Sequence, residues 1–284
     1  MKEFIAKENL KLTKLVLKEY PELSFGQVSN ALKNKDIRLD NVRTNKDVLV
    51  NVGTKVSVYI DFDKLESKIK RIYEDENVLI VFKPRGIEVV GNASDLEHVL
   101  MREGVKVFAC HRIDVNTEGL VVLAKNKRAE EELLKAFKNH AVQKEYTAWV
   151  CGHMEREQDT LKAYLIKNAA ASKVQVFYEE KKNSKEIITK YKVMEDLKTT
   201  SLLSVEILTG RTHQIRAHLA FIGHAVIGDD KYGNREINKA FSMKYQALTA
   251  SKLKFNLTGF LSYLNNKTFK VSPTWLENLN KDRI

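Results

Sequence analysis

Proline and cysteine are scarce in this chain of 284 residues, which holds 3 Pro, 2 Cys and 12 Gly. Collagen-like, linker-like and disulfide-framework chains are thereby excluded. Cys110 and Cys151 stand too far apart for a zinc ribbon, and both read as small buried hydrophobes in strands. Long apolar runs are missing too. Val78 to Phe82 and Leu120 to Ala124 are strand-length, whereas a membrane span needs roughly 20 apolar residues in a row, so no membrane association is expected. The opening stretch from Met1 to Glu8 lacks the apolar centre of a secretion signal, and the cytoplasm is the expected location.

What is present suffices for a core. Hydrophobic residues make up 43% of the chain, enough for one large domain or two modest ones. Lys and Arg number 48 against 37 Asp and Glu, a net charge of +11. Such a surface attracts phosphate backbones or anionic lipid, and with no basic amphipathic helix beside an anchor, nucleic acid leads. A Lys-rich enzyme with no nucleic-acid partner is the bland alternative.

Residues 1–60 read as a separate unit. Leu12, Leu15 and Val16 recur at helical spacing up to Pro21. Ser24 and Gln27 form a capping box for a second helix carrying Val28, Ala31 and Leu32. Ile37 and Leu39, Val48 and Val50, then Val56, Val58 and Ile60 alternate as half-buried strands around a turn at Gly53. Nine lysines and two arginines face seven acids here, a net +4. The stretches Leu23-Ser24-Phe25-Gly26-Gln27 and Lys35-Asp36-Ile37-Arg38-Leu39 resemble the small RNA-binding domain first known from a ribosomal small-subunit protein, the S-four type. The resemblance implies that Lys14, Lys18, Gln27, Lys33, Lys35, Arg38 and Arg43 lie on or near RNA, as phosphate contacts that position without reading sequence.

A charged connector is expected over 61–71, followed by a larger domain over 72–284. Its strand-like stretches are 78–82, 105–110, 119–125, 145–151, 173–178, 187–195 and 200–208. One helix is expected over about 126–140, with Ala129, Leu133 and Phe137 at four-residue steps, and another from Thr212 with Ile215, Leu219 and Ile222. Many strands with few helices predict an α+β fold on a mixed, largely antiparallel sheet.

Several cofactor motifs fail. Gly86 and Gly91 have P-loop spacing but are followed by Asn92 and Ala93, and no two glycines stand two apart. His213 and His218 diverge by about 140° on a helix and cannot share a metal as an i, i+4 pair would. No cofactor and no metal are expected.

Three polar segments sit where the chain turns. They are His111-Arg112-Ile113-Asp114 through Leu120, Gln143-Lys144-Glu145-Tyr146, and Thr209-Gly210-Arg211-Thr212-His213-Gln214-Ile215-Arg216. An acid in such a loop beside an arginine is a candidate nucleophile or base. Together with Lys83-Pro84-x-Gly86, Ile222-Gly223-His224, Ile227-Gly228-Asp229 and Tyr232-Gly233, they resemble the pseudouridine synthases of the large-ribosomal-subunit (RluA/RluD) type. The resemblance runs from Ile72 to about Leu257. Two positions depart from the family pattern: Glu118, where many members carry Ser, and Arg85 after Lys83-Pro84.

The resemblance implies a reaction in which uracil leaves ribose at nitrogen 1 and rejoins through carbon 5, in ribosomal or transfer RNA. Asp114 would be the essential carboxylate, adding to sugar or base or removing the 2′ proton to give a glycal. Arg216 would pair with it. Tyr146 would stack on the base and assist loss of the carbon 5 proton. Arg112 would fill the gap left by the flipped uridine. His111, Arg211, His213 and Gln214 are further candidates for substrate contact, or for support of the loops that carry Asp114 and Arg216. Two other readings compete: a non-enzymatic RNA-binding protein with a silent site, and a carboxylate-pair glycosidase using Asp114 and Glu118. A monomer is the default expectation.

Overall fold

The computed structural model describes residues 1–20, 23, 25–60, 69–91, 95–168 and 172–283. Pro21, Ser24 and connector residues 61–68 lie outside them. The chain forms two compact units, Met1–Lys68 with Val90–Lys106, and Ile69–Val89 with Val107–Ile284. Segment 90–106, expected inside the larger domain, therefore groups with the first unit.

The first unit contains β1 (Lys2–Ile5), β2 (Leu10–Lys11), α1 (Leu12–Glu19), α2 (Phe25–Lys33), β3 (Ile37–Leu39), β4 (Val42–Thr44), β5 (Leu49–Val50), β6 (Lys55–Val58) and α3 (Leu96–Arg102). Four strands pair in the order β1-β6-β3-β4, all antiparallel, and β2 pairs with β5. Leu12, Leu15 and Val16 of α1 and Val28, Ala31 and Leu32 of α2 share a core with Ile37, Val56 and Val58. That is the apolar stripe the 3.6-residue period demands. No side chain of α1's own entry caps it. Instead Asp47 accepts the Thr13 N–H at 2.8 Å. Expected alternation fails at Ser57, which is buried between Val56 and Val58 and donates its hydroxyl to Glu3.

The second unit is built on one large sheet. Its strands are β7 (Lys70–Glu74), β8 (Val78–Lys83), β9 (Phe108–Ala109), β10 (Glu118–Ala124), β11 (Val142–Cys151), β12 (Gln158–Asn168), β13 (Lys173–Phe177), β14 (Lys185–Asp196), β15 (Thr200–Ile207), β16 (Leu248–Phe255) and β17 (Thr268–Lys270). The order is β13-β12-β14-β15-β11-β16-β10-β8-β7, with β9 on β10 and β17 on β16. Only β10 and β16 run parallel among these pairs, so the sheet is mixed and largely antiparallel. Every residue of β8 and β10 is buried, as suits central strands covered on both faces. Helix α4 (Lys127–Lys138), capped by Asn126, lays Ala129, Leu133 and Ala136 on one face against Val78, Ile80, Leu120 and Val122.

Several expectations need correction. Lys70 and Arg71 open a strand rather than extend the connector. Strand structure in 105–110 shrinks to Phe108–Ala109, and Cys110 is buried but outside a strand. Among the strands without a sequence expectation are β12, whose buried side chains are only Ala163 and Leu165, and β16, which buries Thr249 and Ser251 beside its apolar residues. Neither carries a clean alternation. Gly119 shows why β10 can start where it does. A Cβ there would sit 2.4 Å from the Ala250 carbonyl oxygen of β16, and its φ is +121°.

Candidate active site

Asp114 lies in the loop that leads into β10. Its carbonyl accepts the Thr117 N–H at 3.0 Å, closing a turn. The next residue is gripped from the end of β8, for Val115 O accepts the Gly86 N–H at 2.9 Å and a Lys83 ammonium hydrogen at 3.1 Å. Lys83 is fully buried and also donates to Pro84 O and Ile87 O, each at 2.8 Å. Three carbonyls around one nitrogen suit the three hydrogens of an ammonium group. Burial pulls the Lys83 pKa down to about 7, against the raising pull of the Asp114 and Glu118 charges.

The partner of Asp114 comes from α5 (Gln214–Phe221), whose residues Gln214 to Leu219 are all buried. The helix is entered through His213 in the left-handed region, φ 54°. Less than one turn on, Arg216 donates from Nη1 to Asp114 Oδ2 at 2.9 Å. Its other edge is held in a fork by Asp229, Nε to Oδ2 at 2.6 Å and Nη2 to Oδ1 at 2.9 Å. Burial disfavours this guanidinium's charge, but the bonds and charges of Asp229 and then Asp114 outweigh it and hold its pKa above the ordinary value. Burial likewise opposes the Asp229 charge, and Arg216 reverses the balance to keep that carboxyl below the usual range.

Asp229 is itself fixed by its turn. Its Oδ1 accepts the Lys231 and Tyr232 N–H groups at 2.8 and 3.0 Å. Asn238, on α6 (Arg235–Ala240), accepts the Gly228 N–H and donates to Asp229 O. Gly228 has φ +80°, and a Cβ there would meet Tyr245 O at 2.1 Å, so no other residue fits this approach.

Tyr146 stands on β11 at an irregularity in its pairing with β16 and is almost fully buried. Burial, then the charge of Asp114, raises its phenol pKa. The same carboxylate also acts on Lys83, His213, Arg216 and Tyr232. Asp114 is thus the electrostatic hub of the cluster, and its side chain remains 21% exposed. Arg216 takes Oδ2, and among the described residues Oδ1 accepts no hydrogen bond.

The remaining candidates divide. Arg112 and Arg211 are exposed. His213 meets the Tyr232 hydroxyl through Nδ1 at 2.9 Å. That hydroxyl accepts the Val174 N–H, which leaves its own hydrogen for His213. Burial, against the pull of Asp114, lowers the His213 pKa. Gln214 is buried and saturated: Oε1 accepts from Thr209 and the Arg211 N–H, and Nε2 donates to Ile188 O and Thr189. Its amide ties the loop before α5 and leaves no group for a substrate. His111 accepts the Val122 N–H at Nε2 and stacks on Phe137, which points it at the base of α4. Burial and Lys144 push its pKa down to about 3.

Glu118 is equally occupied. Its oxygens accept from Thr249, the Thr274 N–H and the Thr274 hydroxyl, with Arg85 alongside. This removes the glycosidase reading, which needed a free acid there. The sequence assigns Asp229 no role, because the burial of Arg216 that demands a second carboxylate exists only in the fold.

In the first unit, Lys14 and Lys18 are exposed on α1, Lys33 on α2, Lys35 just after it and Arg43 on β4. Lys18 pairs with Glu8. Gln27 is half-buried. Arg38 and Arg43 stand directly opposite each other across β3 and β4, and the Arg38 guanidinium lies 4.5 Å from the Tyr59 ring centre.

A sequence profile of RNA pseudouridylate synthases matches residues 77–221, just over half the chain. The protein belongs to the RNA pseudouridylate synthase family. It is 36% identical to the dual-specificity RNA pseudouridine synthase RluA of Vibrio parahaemolyticus over 192 residues, 65% of this chain and 76% of that protein. It is 31% identical to the ribosomal large subunit pseudouridine synthase C of Rickettsia felis over 256 residues, 80% and 83% of the two chains. The solved structure of human RNA pseudouridylate synthase domain containing 1 superposes with a TM-score of 0.62 at 25% identity, covering 73% of this chain and 84% of that one. As an RNA pseudouridine synthase the protein is an isomerase acting on RNA. The matched stretch holds Lys83, Asp114, Tyr146 and Arg216, whereas Asp229 lies beyond it and residues 1–60 precede it. No helix among the described residues is long and apolar enough to cross a membrane.

Proposed function

We propose that this pseudouridine synthase isomerises specific uridines of ribosomal or transfer RNA without a cofactor, using Asp114 on a nucleotide flipped out of its helix. The observation that carries the reading is the Asp114–Arg216–Asp229 chain, in which a partly exposed carboxylate is aimed by a buried guanidinium that is itself clamped. The reaction breaks one C–N bond and forms one C–C bond with no net oxidation, so it needs no external electron carrier.

Asp114 begins the reaction by adding to sugar or base, or by taking the 2′ proton. Every one of these routes uses a lone pair on an oriented carboxylate oxygen, and Oδ1 is the oxygen left open. Arg216 fixes the rotation of the carboxyl group and offsets its charge away from water. Tyr146 lies within the field of Asp114 and offers an aromatic face to the uracil, with its hydroxyl near the proton to be lost from carbon 5. Arg112, exposed two residues before Asp114, supplies a planar group to stand in for the displaced base.

Residues 1–60 serve as an RNA-binding module of the S-four type. Supporting this are the exposed cations on α1, α2 and β4 and the Arg38–Arg43 pair. Like charges directly opposite on two strands repel and favour an anion between them. The names of the relatives suggest ribosomal large-subunit RNA as the first substrate to try. The decisive test is tritium release from RNA labelled at uracil carbon 5. Release by the wild-type protein and its loss in Asp114→Asn are expected, and no release from ribosomal or transfer RNA would overturn the reading.

A further inference from the structure

The two positions that depart from the family pattern, Arg85 and Glu118, are in contact. Arg85 Nε lies 3.2 Å from Glu118 Oε2, with side chains only 18% and 3% exposed. Glu118 is a rigid base for this pair. Oε1 accepts from the Thr249 hydroxyl at 3.0 Å and the Thr274 N–H at 2.8 Å, and Oε2 from the Thr274 hydroxyl at 2.6 Å.

Arg85 lies on a turn that its neighbours tie to the loop carrying Asp114. Lys83 and Gly86, on either side of it, both donate to Val115 O, next to Asp114. Its donors are nevertheless unused. Nε and Nη2 are sealed from solvent with no hydrogen-bond partner. Nη1 is the nitrogen that solvent still reaches, and it too bonds nothing among the described residues. Nη1, open and unpartnered, is therefore the donor that an arriving group can reach. In a protein that acts on RNA, the partner present at every nucleotide and suited to a guanidinium N–H is a phosphate.

We infer that Arg85 is a substrate-positioning residue of this enzyme, held by Glu118 so that its open Nη1 binds a phosphate of the RNA strand adjoining the target uridine. The inference rests on the pseudouridine synthase reading. A merely structural clamp, joining the 83–86 turn to the start of β10, is the rival account.

Three variants separate them: Arg85→Ala, Arg85→Lys, and the double variant Arg85→Ala with Glu118→Ser. Each is measured as full-length protein against transcribed large-subunit ribosomal RNA and transfer RNA, both labelled with tritium at uracil carbon 5. Arg85→Ala should melt at a lower temperature because Glu118 loses its counter-charge, and should raise KM about tenfold with kcat nearly unchanged. Its affinity should lose about one unit of salt slope. Arg85→Lys should recover part of the KM. The double variant should stay low-melting, because Thr249 and Thr274 lose the carboxylate they bond, and should keep the high KM and the shallow slope. Recovery of KM and slope in the double variant, or a wild-type KM and slope in Arg85→Ala, would overturn the inference. Absence of tritium release in the wild type would instead sink the reading of function, while the binding and salt data would still judge Arg85.

Discussion

The charges of the two units are managed in opposite ways. In the larger unit Lys83, Arg216, Asp229 and Glu118 are buried, and each is met by a specific partner. In the smaller unit Lys14, Lys33, Lys35 and Arg43 stand in water. A buried charge acts through position, because low dielectric makes each bond to it strong and each missing bond costly. An exposed charge acts through number, contributing salt-dependent attraction with little demand on geometry. The larger unit should therefore carry turnover and much of the stability, and the smaller one affinity.

The sharpest break of that division would come at position 114. Asp114→Asn should lower turnover by at least about 10⁴-fold while RNA affinity, read by filter binding, stays near wild type. Parallel loss of both would merge the two roles. Next comes the clamp behind Arg216. Asp229→Asn leaves that guanidinium without its forked partner, and should lower unfolding stability by about 3–5 kcal/mol. Turnover should fall by about 10²-fold as Asp114 loses its aim, read from urea melts and single-turnover rates on the same sample. A comparable loss of about 10²-fold in kcat with little change in KM is expected for Tyr146→Phe, which keeps the ring and removes the proton-handling hydroxyl.

Protonation gives a smaller and more selective effect. Burial lowers His111 to about 3 and His218 to about 4. Below pH 6.5 the unfolded chain binds protons that these folded histidines refuse, so stability rises with pH through that window and is lost on acidification. The loss should be about 1.4 kcal/mol per pH unit for each histidine until its folded pKa is reached. His218→Gln should make the acid slope of stability between pH 6.5 and 4.5 shallower by about 1.4 kcal/mol per pH unit, and an unchanged slope would show that His218 is not neutral in the fold. The mildest expected outcome belongs to the smaller unit. Replacing Lys33, Lys35 and Arg43 together with Ala should weaken RNA binding only several-fold near physiological salt, with a shallower salt slope and an unchanged kcat. A fall in kcat there would contradict the proposed division of labour.

Much of this was legible beforehand, for reasons particular residues make plain. The apolar spacing of Leu12, Leu15 and Val16 and of Ala129 and Leu133 reports helices because burial on one face needs that period. The runs Val78 to Phe82 and Leu120 to Ala124 report central strands because both their faces are covered. Strands β12 and β16 escaped notice, since lysines and small hydroxyl residues break the alternation and neighbouring strands supply what the local pattern lacks. Gln214 misled in the opposite sense, a polar residue in a motif that the fold spends wholly on its own loop.

Residue order by itself determined the kinds of element, the basic balance and the three polar segments, because those depend on neighbours within a few positions. Only the tertiary structure decided that Asp229 shares Arg216 with Asp114, that Gln214 is spent on its own loop, and that Arg85 rests on Glu118. A charge taken from water must find its partner in space rather than along the chain, and that pairing exists only once the sheet has brought distant loops to the same place.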